Sequence, residues 1–271
     1  NIKKSKVHSL LTDSSNNLWI GIYQKGVAFI PSQANMFNYI GNFSSIRNYI
    51  GSNCITALCE TTDKGKLIVG TDNDGIYLLD KNYNFIQHLT QDKNPDVPPT
   101  VMCLFEDSNK KVWIGSYLSG ISVFDSQTNK LSKTSLRNNE GNEITKVYRF
   151  VEDPHKRLWI GTMGTGLYYV DLPASSASYS DLKVHQALSE KEINQWINTL
   201  LYIPNGRLYI GTYDGIKCID TEKLKVVGKE KVLIGLSINT IAQGPDDHIW
   251  AGTPEGIYVM DYNLNIIEKF T

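Results

Sequence analysis

Residue types capable of catalysis are present in this chain, but not in a catalytic arrangement. Asp80, Asp125, Asp171, Asp220 and Asp261 each close an apolar run and recur once per repeating unit. That recurrence reads as turn formation, not as the single carboxylate pair that glycoside hydrolysis requires. The five histidines are scattered, and no Ser-His-Asp set or metal-ligand spacing is visible. Cys54, Cys59, Cys103 and Cys218 form no C-x-x-C pair, and three of them lie in strand-like runs, where cysteine behaves as a small buried hydrophobe. Gly-x-x-x-x-Gly occurs at Gly21/Gly26, Gly70/Gly75, Gly115/Gly120 and Gly161/Gly166, the glycine spacing of a phosphate loop. The next residues are Val27, Ile76, Ile121 and Leu167, never Lys followed by Ser or Thr, so these pairs read as turn glycines. No catalytic residue, metal ligand or cofactor is expected.

The remaining polar and aromatic residues suit binding. Tyr23, Tyr117 and Tyr213 share one loop position. Tyr148, Arg149, Trp196, Asn198 and Asn239 lie at or just before the first strands of their repeats. Sugars present apolar ring faces to aromatic platforms, and hydroxyls to amide, carboxylate or guanidinium partners. Of the five tryptophans, Trp196 alone stands outside the repeat register. The alternative for Trp196 is packing of a long connector onto the rim, and for the tyrosines a packing role encoded by the repeat. Arg149 is a charge inside a strand, which needs a partner, a ligand or a water-filled channel.

The elements that must position these residues are set by a repeat. Trp19-Ile20-Gly21, Ile68-Val69-Gly70, Trp113-Ile114-Gly115, Trp159-Ile160-Gly161, Tyr209-Ile210-Gly211 and Trp250-Ala251-Gly252 place successive glycines 49, 45, 46, 50 and 41 residues apart. A period of that size signals a repeat architecture. Val101 to Glu106, Lys111 to Gly115 and Ile121 to Asp125 read as three strands, with a fourth near Lys130 to Thr134. Four short strands per unit predict an all-β fold, a β-propeller of four-stranded antiparallel blades in a single domain over 1–271. First strands are predicted to begin at Val7, Ile55, Val101, Val147, Ile197 and Ile238, and outer strands to include 85–89 and 266–270. Ser189 to Gln195 has a capping-box opening and is the sole helix-like stretch. In a propeller, the loop from second to third strand and the connector into each first strand emerge on one face, where all the binding candidates collect.

Net charge is -1 and like charges form no block, so a nucleic-acid partner is not expected. No apolar run approaches the roughly 18 residues needed to cross a bilayer. The opening Asn1-Ile2-Lys3 reads as a processed or excised domain.

The pattern Asp-x-x-x-x-Leu-Trp-Ile-Gly-Thr, a further glycine, then Leu-Tyr-x-x-Asp resembles the two-component regulator propeller repeat. Asp153 to Asp171 carries it best, followed by Asp13 to Ile30 and Asp107 to Asp125; Ile68 and Tyr209 replace Trp in two repeats. The resemblance implies the periplasmic sensor region of a hybrid two-component system, which detects an oligosaccharide and signals to a histidine kinase elsewhere in the parent chain. It implies further sensor and kinase domains as partners, allows a homodimer, and implies no direct membrane contact by this segment. Family propellers usually have seven blades, whereas six repeats are visible here. Two other functions stay open: a protein-interaction scaffold and, more remotely, a propeller lyase or glycosidase.

Overall fold

Short β-rich runs separated by Asp, Asn and Gly clusters can bury their apolar faces only by pairing with their sequence neighbours, and each repeat becomes one antiparallel sheet. A computed structural model describes residues 7–14, 18–22, 26–30, 40, 49–51, 54–62, 65–174, 178–180, 182–189, 191–244 and 247–271. Two compact units are present, residues 1–40 and 41–271. The first holds β1 (Val7–Thr12), β2 (Leu18–Ile22) and β3 (Gly26–Ile30), a sheet of three described strands in chain order.

The second unit holds five four-stranded sheets, each in chain order. They are β4 (Ile55–Glu60), β5 (Leu67–Thr71), β6 (Ile76–Leu79) and β7 (Phe85–Leu89); β8 (Val101–Glu106), β9 (Lys111–Ser116), β10 (Ile121–Asp125) and β11 (Lys130–Thr134); and β12 (Val147–Glu152), β13 (Arg157–Thr162), β14 (Leu167–Asp171) and β15 (Val184–Gln186). Next come β16 (Ile197–Ile203), β17 (Arg207–Thr212), β18 (Gly215–Asp220) and β19 (Lys225–Val232). The last are β20 (Thr240–Gln243), β21 (Ile249–Thr253), β22 (Gly256–Met260) and β23 (Ile266–Phe270). The fold is all-β, built of propeller blades, with no helix among the described residues.

Four apolar clusters fill the four spaces between the five sheets. Ile68 and Leu78 meet Val112 and Phe124; Trp113 and Val123 meet Phe150 and Ile160; Trp159 and Leu167 meet Leu200 and Ile210; Tyr209 and Cys218 meet Ile249 and Met260. Val112 and Ile114 thus face one neighbouring sheet while Trp113 faces the other, so the second strands are apolar on both faces through their middle.

The glycine of the repeat is required by this stacking. A Cβ on Gly161 would lie 2.8 Å from Ile197 Cγ2, and one on Gly70 would lie 2.5 Å from Val101 Cγ1. The first strand of the next blade therefore lies almost on the bare backbone. This corrects the reading of both glycines in each pair as turn glycines. The first is a strand residue, paired as in Gly161↔Leu167. Only the second turns the chain, as at Gly120 with φ 76° and Gly166 with φ 92°. The residue after the first glycine closes that turn, with Ser116 Oγ donating to Gly120 O at 2.7 Å and Thr162 Oγ1 to Gly166 O at 2.7 Å.

Two local expectations change. The last first strand begins at Thr240, not Ile238, because Ile238 N–H donates to Thr212 O of the preceding blade. Ser189 to Gln195 makes a single turn, with Glu192 N–H and Ile193 N–H both donating to Ser189 O. The capping contact forms, as Ser189 N–H donates to Glu192 Oε2 at 2.9 Å, but no helix follows it.

Candidate functional site

Each first strand from β4 to β16 carries an extra residue near its start. The pairs Val101↔Ser116 and Cys103↔Gly115 leave Met102 unmatched, and Val147↔Thr162 with Arg149↔Gly161 leave Tyr148 unmatched. Thr56 and Asn198 are unmatched in the same way. A bulge releases one residue from the ladder and turns its side chain aside. In the last blade Asn239 directly precedes Thr240, whose partner Gly252 is the repeat glycine, so Asn239 holds the matching position.

These five residues, one from each blade of the second unit, line a single pocket of about 510 Å³. Arg149, Tyr213 and Ser237 complete its wall. Of the sequence candidates, Tyr148, Arg149, Asn198, Tyr213 and Asn239 therefore meet in one place. Trp196 stands beside it, 50% exposed, with its ring centroid 6.2 Å from that of Tyr213 and the planes at 57°. Tyr213 N–H donates to Trp196 O at 2.9 Å, which ties this aromatic pair across two loops. Tyr117 is outside the pocket lining and exposed; Lys146 N–H donates to its carbonyl at 2.8 Å, and Lys146 Nζ lies 6.0 Å from its ring centroid. Tyr23 falls outside the described residues.

The polar lining is only partly self-satisfied. Asn198 Nδ2 donates to Ser237 Oγ at 3.1 Å and Ile238 O at 3.2 Å, and Ser237 Oγ donates to Asn239 Oδ1 at 3.2 Å. Thr56 Oγ1 is buried and has no hydrogen-bond partner among the described residues. Burial raises the Tyr148 phenol above its ordinary pKa, and the nearby Tyr117 phenol adds to the effect, so Tyr148 acts as a neutral donor or acceptor. Among the described residues the lining includes no carboxylate, imidazole or thiol. It offers aromatic faces, amides, hydroxyls, a thioether and one guanidinium.

Thr56, Met102 and Ser237 belong to the connectors that the repeat places on this face, but their residue types do not single them out as ligand candidates. The signal that finds them is register: Thr56 and Met102 stand second in their first strands, as Tyr148 and Asn198 do.

Residues 97–118 match the family model of the two component regulator propeller. The match spans the third repeat's first strand, turn and Trp-Ile-Gly phrase. No curated protein matches the chain. Among solved structures, the chain is similar to one described as the extracellular domain of a hybrid two component system, BT3049 from B. thetaiotaomicron. Identity is 23%, TM-score 0.78, and coverage 97% of this chain and 34% of the other. It is also similar to PorZ of the type-IX secretion system of Porphyromonas gingivalis, at 15% identity and TM-score 0.66, covering 98% of this chain and 48% of that one. A third likeness is to the extracellular domain of BT4673 from B. thetaiotaomicron, described as a one component system, at 21% identity, TM-score 0.64, and coverage of 98% and 33%. The chain thus spans a third to a half of the length of these structures, and the likenesses establish its propeller fold.

Proposed function

We propose that this chain is a noncatalytic sensing segment of a hybrid two-component system, extracytoplasmic in place, which binds an oligosaccharide in the bulge-lined pocket and signals to a histidine kinase elsewhere in its parent chain. The observation that carries the reading is the convergence of one residue from the same first-strand position of each blade of the second unit on a single aromatic and amide-lined pocket. Tyr148, Tyr213 and the neighbouring Trp196 supply stacking faces, while Asn198, Asn239 and Ser237 supply donors and acceptors for hydroxyls. The two component regulator match and the extracellular domains sharing this fold support the sensor role. No helix of the described residues is long and apolar enough to cross a membrane.

Signal transfer needs a ligand that favours one arrangement of propeller and neighbouring segments over another. A pocket assembled from five blades suits this, because one occupant touches all five sheets at once.

A second reading, a protein-interaction propeller, is favoured by Leu118 and Ile234, apolar loop residues that are 66% and 55% exposed. Calorimetric titration against neutral and acidic polysaccharide fragments decides between them. Saturable binding lost in Tyr148→Ala and Tyr213→Ala supports the sugar reading. Absence of binding across the panel overturns it and leaves the interaction reading.

A further inference from the structure

We infer that the pocket selects an anionic sugar unit, one carrying a carboxylate or a sulfate, and that Arg149 is the residue that reads it; the inference rests on the oligosaccharide reading above.

Among the described lining residues Arg149 alone carries a formal charge. It is exposed, and its guanidinium has no ion pair or hydrogen-bond partner among the described residues. The positions matching Arg149 in the other blades of the second unit are small, namely Ala57, Cys103, Thr199 and Thr240. Each pairs with its repeat glycine, as Arg149 does with Gly161. A large cation has therefore been placed where the repeat elsewhere tolerates only a small side chain.

A second observation points the same way. Lys146, three residues before Arg149, lies over the Tyr117 ring and has no carboxylate partner among the described residues. Burial raises the Tyr148 pKa, with Tyr117 as the second cause, which sets Tyr148 and Tyr117 close together. Arg149 and Lys146 thus bring two cations to this part of the face, with no carboxylate paired to either among the described residues. A guanidinium presents paired N–H donors that match two oxygens of a carboxylate or sulfate, and such charge-assisted bonds are stronger than those to neutral hydroxyls. Tyr148 and Tyr213 would flank the ring that bears the anion.

The test is calorimetric titration of the 271-residue chain with tetrasaccharides of polygalacturonate, alginate and chondroitin sulfate, each beside its carboxyl-reduced counterpart. We expect at least one anionic fragment to bind, to weaken at least tenfold when made neutral, and to weaken further as salt is raised. Arg149→Gln should remove that tenfold preference, and Arg149→Lys should retain part of it. Loss on carboxyl reduction assigns the anion to a uronate. Retention by carboxyl-reduced chondroitin sulfate assigns it to a sulfate, and both uphold the inference. Neutral fragments that bind as tightly as their parents, with Arg149→Gln without effect, overturn it and leave oligosaccharide binding intact. Failure of every fragment to bind overturns this inference and the oligosaccharide reading together.

Discussion

Asp153 Oδ2 accepts a hydrogen bond from Trp159 Nε1 at 2.9 Å, and both residues are buried. The same carboxylate pairs with Arg157 at 2.8 Å, while Asp153 Oδ1 accepts the N–H groups of His155 and Arg157. Asp107 repeats the arrangement, with Trp113 Nε1 at 2.8 Å. One side chain thus closes the hairpin and satisfies the buried indole six residues on. Asp153→Ala should destabilise the chain by about 3 kcal/mol, since it strands both a half-buried cation and an indole N–H. Asp153→Asn should cost less, because it keeps the acceptor. The urea midpoints of the two variants check the order.

The last blade lacks this device. The residue six before Trp250 is Gly244, and Trp250 Nε1 is buried without a hydrogen-bond partner among the described residues. Gly244→Asp is expected to raise stability by about 1 kcal/mol by supplying the acceptor. An unchanged or lowered midpoint would show that the indole is satisfied another way.

The repeat glycines should tolerate no side chain. Gly161→Ala is expected to cost about 1–3 kcal/mol by overpacking against Ile197. In an Ile197→Ala background, where the obstructing Cγ2 is gone, the same change should cost less. The double-mutant cycle measures that coupling, and additive costs would mean that the two sites do not meet.

Burial pushes the thiols of Cys103 and Cys218 up to about 12 and that of Cys59 up to about 11, whereas Cys54 is exposed. At about pH 8, near the ordinary thiol pKa of roughly 8.5, a thiol reagent should modify Cys54 well ahead of Cys103 and Cys218. Mass spectrometry of labelled peptides reads the order. Labelling in urea should make all four equal.

Asp125 gives a pH signature. Burial alone would raise its pKa, but hydrogen bonds from Lys111, Gln127 and Thr128 outweigh burial and hold it below the usual carboxylate range. A depressed carboxylate contributes stability that is complete above its unfolded pKa of about 3.9 and is lost as pH falls through the lower folded value. Asp125→Asn should therefore be less stable than the parent by about 1 kcal/mol or less near neutral pH, with the gap closing in acid. Urea midpoints taken down the acid limb test this; a gap that persists there would refute it.

The blades were legible because their pattern is local. The strand order within each sheet, the outer strands over 85–89 and 266–270, and the once-per-repeat aspartates all follow from turn chemistry and short apolar runs. Asp80, Asp220 and Asp261 each accept the backbone N–H two residues on, as turn formers do. The pocket was half legible. Tyr148, Arg149 and Asn198 stood out by residue type; Thr56 and Met102 fell on the same face by their place in the repeat, but their shared role did not show, because a bulge is a property of paired registers and no single strand reveals it. The role of Gly161 was missed for a similar reason: the residue that forbids a Cβ there, Ile197, is 36 positions away and in the next blade.

Because these positions face the pocket and not the cores between the blades, the sheets place little demand on the side chains they carry. Thr56, Met102, Tyr148, Asn198 and Asn239 already range from a hydroxyl to a thioether, a phenol and two amides on one backbone plan. The pocket is in effect a five-letter word written on a fixed frame, and each letter can change while the cores between the blades stay as they are. New ligand preferences are then reachable by single substitutions at these positions, at little cost in stability, which makes the propeller a scaffold on which selection can rewrite specificity one blade at a time.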